Sequence, residues 1–292
     1  MLPISMADYD RYMGKVLTTG EIADYDRLGY HFPVPTLNAE ETGNALAKFE
    51  AFEQNEGGEI SGKRKIKSHL FLRWAYELIA HPGVLDAVED VLGPNILCWN
   101  SSFFIKNAHD PAHVTWHQDS TYWGLSVPDL CSVWIALTPA TVENGAMKII
   151  PESHRHGQLD HTDTFDKTNL LARGQHLTEL PAENSAVDIE LAPGEISLHH
   201  IMAVHGSEPN RTDERRIGLA IRYAAPHVRL LGNISDSALL VRGKDDHGHF
   251  GAETPPEKDM DPTALDQHAQ ILENRARVKY AGTEKDYAHK DD

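Results

Sequence analysis

Apolar residues in the first third of the chain recur at helical spacing. Residues 20–30 read as a short helix closed by Gly29 and followed by a strand through Tyr30 to Val34. A capping box, Asn38 with Glu41 three residues on, opens a second helix in which Ala45, Leu46, Phe49 and Phe52 share a face. Leu70, Trp74, Leu78 and Ile79 continue a third helix to His81-Pro82-Gly83, and a fourth, Val84 to Leu92, stops at Gly93-Pro94. After Pro94 the period changes to two. Residues 96–106, 114–119, 131–137, 146–150, 187–191, 196–202 and 217–223 read as short strands separated by Gly, Pro, Asn and Asp turns. This pattern predicts a mainly β fold with flanking helices (α+β), a double-sheeted jelly-roll or cupin core with helices on one outer face. Residues 152–186 lack alternation and read as a candidate lid. From Asp245 the chain is polar apart from one helix entered at Asp261-Pro262, and its last dozen residues are expected to fray. The organisation expected is one domain over 1–292: a helical part to about 93, a β core over about 94–230 and a polar C-terminal extension.

An apolar content of 40% with five Trp, nine Tyr and eight Phe supports a real core. The formal charge of −17 argues against nucleic acid or an anionic membrane as partner, since both require a basic face. Cys98 and Cys131 are too few for a disulfide framework or a thiolate metal site, and read as buried free thiols in a reducing compartment. The start, Met1 to Met13, lacks a basic and apolar leader, and no apolar run approaches the length of a membrane span. A cytoplasmic protein is the expectation.

The candidate chemistry lies in Val114-Thr115-Trp116-His117-Gln118-Asp119, running on into Ser120 to Leu125. In a strand, His117 and Asp119 at i and i+2 point the same way and can grip one ion. Two histidines and one carboxylate on one face of an octahedral ion leave the opposite face open, the arrangement of non-haem Fe(II) oxygenases. The triplet alone does not single out a site, because in a chain with 18 histidines about one or two His-x-Asp matches arise by chance. Two others occur. His161-Thr162-Asp163 lies in a polar run without strand pattern and His289-Lys290-Asp291 near the chain end, so both read as solvated surface.

The best third ligand lies between Pro193-Gly194, which launches a strand, and His205-Gly206, which ends it. His205 takes the position at the strand mouth; His199, which shares its parity, and His200 compete for the role. Beyond it Arg216, Gly218, Ala220 and Arg222 share one strand face. Small Gly218 and Ala220 beside an inward Arg216 leave room for a flat anion, and a guanidinium fork suits a carboxylate. A surface arginine in a charged turn fits the same pattern. The dense basic run Lys63-Arg64-Lys65-Ile66-Lys67 reads as a solvated loop or, at the mouth, as a recognition element for an anionic substrate.

Trp116-His117-Gln118-Asp119, the stretch Val142 to His154 with its Asn144-Gly145 and Ile150-Pro151-Glu152-Ser153-His154, and His205-Gly206-Ser207 with Arg216 eleven residues after His205 resemble the phytanoyl-CoA dioxygenase family in order and spacing. The likeness runs over roughly residues 20–230. It implies a double-stranded β-helix and an Fe(II)- and 2-oxoglutarate-dependent oxygenase. By resemblance His117, Asp119 and His205 are the catalytic iron ligands, and Arg216 anchors the distal carboxylate of 2-oxoglutarate with help from Ser207. Asn100, Lys106 and Trp134 lie on strands near the site in the same alignment and are candidates to touch the cosubstrate. Glu152 stands where the family usually has glycine, which alters a turn and not a ligand.

The implied reaction uses O2 and 2-oxoglutarate to hydroxylate an unactivated C–H of a small molecule, with succinate and CO2 released. A small polar or anionic metabolite, such as 2-aminoethylphosphonate or an amino-acid derivative, is the expected substrate, since the acidic chain suits poorly the phosphates of an acyl-CoA. Two other classes stay in view: a non-redox metal-dependent cupin enzyme, which would have no need of Arg216, and a catalytically silent binding module, in which the ligands would be dispensable. Asp119 fills the place that a halide takes in related halogenating enzymes, so hydroxylation is expected rather than halogenation.

Overall fold

The computed structural model describes residues 14–121, 124–171, 173–181, 185–231 and 235–279. Its elements run α1 (Thr19–Leu28), β1 (Tyr30–Pro35), α2 (Ala39–Asn55), α3 (Arg73–Ile79), α4 (Pro82–Leu92), β2 (Ile96–Lys106), β3 (Val114–His117), β4 (Leu130–Ala136), β5 (Met147–Ile149), β6 (His161–Asp163), β7 (Gln175–Leu177), β8 (Val187–Ile189), β9 (Glu195–His200), β10 (His205–Ser207), β11 (Arg216–Ala224), β12 (Ser237–Arg242), β13 (Gly251–Ala252) and α5 (Pro262–Lys279). The expected helix starts are present with their chemistry. Thr18 caps α1 in a capping box with Glu21, Gly29 closes it at φ 85°, and Asn38 Oδ1 accepts from the amides of Glu40 and Glu41 at 2.9 Å each.

Two sheets form the jelly-roll core. The larger has the strand order β1-β9-β4-β11-β2-β12-β13 and the smaller β3-β10-β5-β8, while β6 and β7 pair separately. Alternation along β11 shows how the layers are made. Ile217, Leu219, Ile221 and Tyr223 face outward into one apolar core with Phe103, Ile105, Val133, Ile135 and Leu198, under helix residues Phe49, Trp74, Ile79 and Val88. Arg216, Gly218, Ala220 and Arg222 take the other face, in register with Ala136, Trp134 and Ser132 on β4 and with Lys106 and Phe104 on β2. That inner face looks toward the smaller sheet, whose Met147, Val187 and Ile189 pack with Trp134, Ala136 and Ala220.

Several expectations are corrected. The stretch 193–207 is not one strand: β9 ends at His200, and the chain passes through Ile201 to Val204 into β10 of the other sheet. His161-Thr162-Asp163 is a strand, β6, paired with β7, and His161 Nε2 accepts the amide of Gln118 at 3.1 Å rather than facing solvent. The insertion therefore carries a hairpin on the strand that bears His117, tied to it where Thr115 Oγ1 donates to the Gln175 carbonyl at 2.6 Å. Residues 237–242, expected as part of a polar extension, add β12 to the main sheet beside β2. Tyr122, Trp123, the leading Met1 to Met13, His289-Lys290-Asp291 and the final dozen residues lie outside the described residues. Cys98 and Cys131 are free and buried, and burial pushes the Cys131 thiol up to about 12. No described helix is long and apolar enough to cross a membrane.

The basic run divides. Arg64 and Lys65 pair with Glu56 and Glu59 near the surface, whereas Lys67 is fully buried and bonds to Glu253 and to the Ser237 carbonyl. His69, 3.6 Å from Glu253, and Ser237 Oγ complete this knot, which ties the loop before α3 to β12. Burial opposes ionisation of Glu253, but Lys67 and His69 outweigh it and hold the carboxyl at about 2, against 4.5 ordinarily. A depressed carboxylate contributes stability above its unfolded pKa and loses it as pH falls toward the folded value. Glu253→Gln should accordingly destabilise the fold by about 3–5 kcal/mol near neutral pH. In denaturant titrations the gap between wild type and variant should narrow below pH 4.5 and nearly close by pH 2; a gap independent of pH would refute the ion-pair account.

Candidate active site

β3 and β10 pair antiparallel with His117 directly opposite His205, so two imidazoles from different strands stand side by side, ring centroids 4.1 Å apart. Asp119 follows β3 two residues after His117. One ligand atom from each of His117, Asp119 and His205 lies within 4.8 Å of the others, and all three residues are buried. Backbone carbonyls settle the tautomers. His117 Nδ1 donates to Thr115 and His205 carbonyls at 3.0 and 3.1 Å, and His205 Nδ1 to the Ala203 carbonyl at 3.0 Å. Carbonyl oxygen only accepts, so each Nδ1 carries the proton and each Nε2 keeps its lone pair free for a metal. Burial, with His117 and His199 adding to it, keeps His205 well below the usual imidazole range and therefore neutral. Two imidazoles and one carboxylate are a donor set that fits a divalent first-row metal such as Fe(II).

Asp119 is the charged member. Burial is the largest single influence and would raise its pKa, but the Arg222 guanidinium together with His117, His199 and His205 outweighs it and holds the carboxyl well below the usual range. Arg222 reaches Oδ1 through Nη2 at 2.9 Å and Oδ2 through Nε at 3.3 Å, and Ser132 Oγ donates to Oδ2 at 2.6 Å. Register places Arg222, Ser132 and His199 in one row across β11, β4 and β9. His199 Nε2 stands 3.7 Å from Asp119 Oδ2, and neither ring nitrogen of this buried residue has a hydrogen-bond partner among the described residues.

A second polar cluster lies beyond Ser207. Lys106 Nζ donates to Ser207 Oγ at 2.7 Å, to the Gly145 carbonyl at 3.3 Å and to the Glu208 carbonyl, and Arg216 donates to the same Gly145 carbonyl. The Arg216 guanidinium lies 5.4 Å from the centre of the Trp134 ring. A β-carbon on Gly218 would come within 2.0 Å of that ring, so glycine is what lets Trp134 lie flat against the sheet. Neither cation is within ion-pairing distance of a carboxylate among the described residues. Burial pulls Arg216 down to about 10; burial and then the charge of Arg216 pull Lys106 down to about 6.

The sequence-based candidates thus divide. His117, Asp119 and His205 converge; Ser207, Arg216 and Trp134 gather beside them with Lys106. Asn100 is turned elsewhere, its Oδ1 accepting from Arg275 of α5 at 2.8 Å. Ser132 escapes sequence reasoning, because a serine within the apolar run Leu130 to Leu137 carries no local signal beyond its inward parity. His199, a competitor for the third ligand, lies beside the three, on the opposite sheet from His205. Glu152 sits at φ 62°, a left-handed conformation that explains why glycine is usual at that turn.

Residues 25–218 match the model of the phytanoyl-CoA dioxygenase (PhyH) family. The chain is 30% identical over 201 residues to a probable alpha-ketoglutarate-dependent hypophosphite dioxygenase of Stutzerimonas stutzeri, covering 66% of this chain and 69% of that protein. It is 27% identical to L-proline trans-4-hydroxylase of Streptomyces griseoviridis, with 68% and 83% covered. Among solved structures, the apo form of the non-heme monooxygenase ThoJ superposes with TM-score 0.80 at 35% identity, covering 89% of this chain and 97% of that one. CytC3 with Fe(II) and alpha-ketoglutarate shares the fold, with TM-score 0.60 at 23% identity over 81% and 92%.

The cationic pocket can be tested without metal. A dicarboxylate such as glutarate should bind the metal-free protein at pH 8 with net proton uptake, because an arriving anion raises the pKa of a lysine otherwise held at about 6. Calorimetry in buffers of different ionisation enthalpy reads that proton. Lys106→Met should abolish the uptake, and binding without uptake in the wild type would remove Lys106 from the pocket.

Proposed function

The chain belongs to the phytanoyl-CoA dioxygenase family and is an Fe(II)- and 2-oxoglutarate-dependent dioxygenase, and from that premise we propose that His117, Asp119 and His205 hold its iron while Arg216, with Lys106 and Ser207, holds the far carboxylate of 2-oxoglutarate. The reaction is hydroxylation of an unactivated C–H in a small metabolite. Bound iron and cosubstrate supply the oxidising chemistry: one oxygen atom of O2 goes to 2-oxoglutarate as it loses CO2 and becomes succinate, and the other goes to the substrate.

The observation that carries this reading is the unanswered pair of buried cations next to the triad. Two residues of strand, about 7 Å, separate His205 from Ser207, a span a five-carbon diacid can bridge with its keto end at the metal. Arg216 offers a fork to the carboxylate and Lys106 a point charge. Arg222, the other arginine on this strand face, is already engaged by Asp119. The Trp134 ring lies 5.4 Å from the guanidinium, which is itself buried from water. The chain's own residues therefore bind, orient and exclude water.

The substrate reading rests on charge. The inner face of the main sheet presents Lys106, Arg216 and Arg222; the first two serve the cosubstrate and the third serves Asp119. Lys67 and Lys65 of the basic run are paired elsewhere. This supports a small neutral or zwitterionic metabolite, such as an amino-acid derivative, over a phosphonate. His199, with both nitrogens unpartnered, supplies a neutral donor and acceptor for it. The proline hydroxylase among the relatives acts on a compound of this class.

Anaerobic Fe(II) and 2-oxoglutarate should give a weak visible charge-transfer band that His117→Ala abolishes. Arg216→Gln should raise the 2-oxoglutarate requirement by the equivalent of about 2–5 kcal/mol with iron affinity little changed; an unchanged KM would sink the assignment. Iron-loaded enzyme given a metabolite extract and 2-oxoglutarate should produce a species heavier by one oxygen atom, one succinate per product, even in concentrated chloride. A chlorinated product would remove Asp119 from the metal.

A further inference from the structure

Asp119 is held in a way that its role as a ligand does not require. A carboxylate offers about four lone-pair sites. On Oδ2, Ser132 Oγ at 2.6 Å and Arg222 Nε at 3.3 Å occupy both; on Oδ1, Arg222 Nη2 at 2.9 Å occupies one. One site remains, on the oxygen that lies 3.8 Å from His117 Nε2. The same accounting explains why His199 Nε2, 3.7 Å from Oδ2, makes no hydrogen bond: that oxygen is full.

Resting on the metal site read above, we propose that Arg222 and Ser132 are positioning residues that force Asp119 to bind the metal through one oxygen, Oδ1, and so keep open a coordination position that 2-oxoglutarate needs. A carboxylate free to rotate could chelate with both oxygens and fill that position itself. Arg222 and Ser132 face each other in register on β11 and β4, both buried, so the clamp is built into the sheet and not into a loop. The clamp acts on electron density as well as on geometry. A guanidinium on the ligand carboxylate draws charge away from the metal, which raises the energy needed to move an electron from metal to cosubstrate.

Spectroscopy and calorimetry separate this from a structural role. Arg222→Gln should shift the charge-transfer band of the anaerobic Fe(II)–2-oxoglutarate complex to longer wavelength and weaken 2-oxoglutarate binding about 10- to 100-fold. Affinity for Co(II) alone should fall less than cosubstrate affinity, because a carboxylate released to chelate still binds metal. Arg222→Lys keeps the charge and loses the fork, so it should restore the band position and leave cosubstrate affinity low; recovery of both would overturn the orienting role. Should Arg222→Gln fail to fold, Ser132→Ala carries the test, with cosubstrate affinity reduced and Co(II) affinity nearly retained. A normal band and normal cosubstrate affinity in Ser132→Ala and Arg222→Gln would overturn the proposal. Failure of the underlying site reading looks different: the wild type itself would then give no band.

Discussion

A carboxylate buried between two sheets must be answered by a positive charge, and in this protein Arg222 answers Asp119. The pair determines much around it. With no positive charge of any kind beside it, an ionised carboxylate there would be driven by burial to take up a proton. An arginine there without Asp119 would be an unpaired buried charge of the same cost. Each side chain is therefore tolerable because the other is present, and the chain leaving β3 brings Asp119 against Arg222 of β11.

The remaining cations of the interior obey the same constraint with a different outcome. Lys106 and Arg216 are buried beside each other with carbonyls and a hydroxyl as partners and no acid in reach among the described residues. Burial and mutual repulsion make them a pocket that gains from a visiting anion. Among the described residues the inner face of the main sheet thus holds one arginine balanced within the chain, Arg222, and a pair of cations that a visiting anion would balance. Lys67, buried at the far side of β2, shows the first solution again with Glu253.

Much of this is legible in the sequence because strands declare their two faces. The alternation of Arg216, Gly218, Ala220 and Arg222 against Ile217, Leu219, Ile221 and Tyr223 survives intact in β11, and β2 has the bounds its pattern implies. A β-patterned, aromatic-rich setting separates His117 and Asp119 from the two other His-x-Asp triplets, and the family resemblance, through Gly206-Ser207 and Arg216 downstream, favours His205 over His199 and His200. What parity cannot reveal is a change of sheet. His199 and His205 share parity along one imagined strand, whereas they stand on opposite walls of the sandwich, because the turn at Ile201 to Val204 leaves no strong signal in an apolar run. Long-range pairings are equally silent: nothing near Ser132 announces Asp119, nothing near Lys67 announces Glu253, and β6 hides in a polar stretch because its partner is another short polar strand.

That passage from β9 to β10 constrains the site. His199 and His205 stand on opposite sheets and are joined only by the short passage through Ile201 to Val204, so chain length limits how far apart the two walls can stand there. At its end His205 lies opposite both His117 on β3 and Ile149 on β5, so β10 is held between two strands. The long connection between β5 and β8 is under no such limit, since β5 already has β10 and β8 as its paired neighbours. The two histidines that meet across the sheets are thus tied to a short stretch of chain, while the longer connections carry no such constraint.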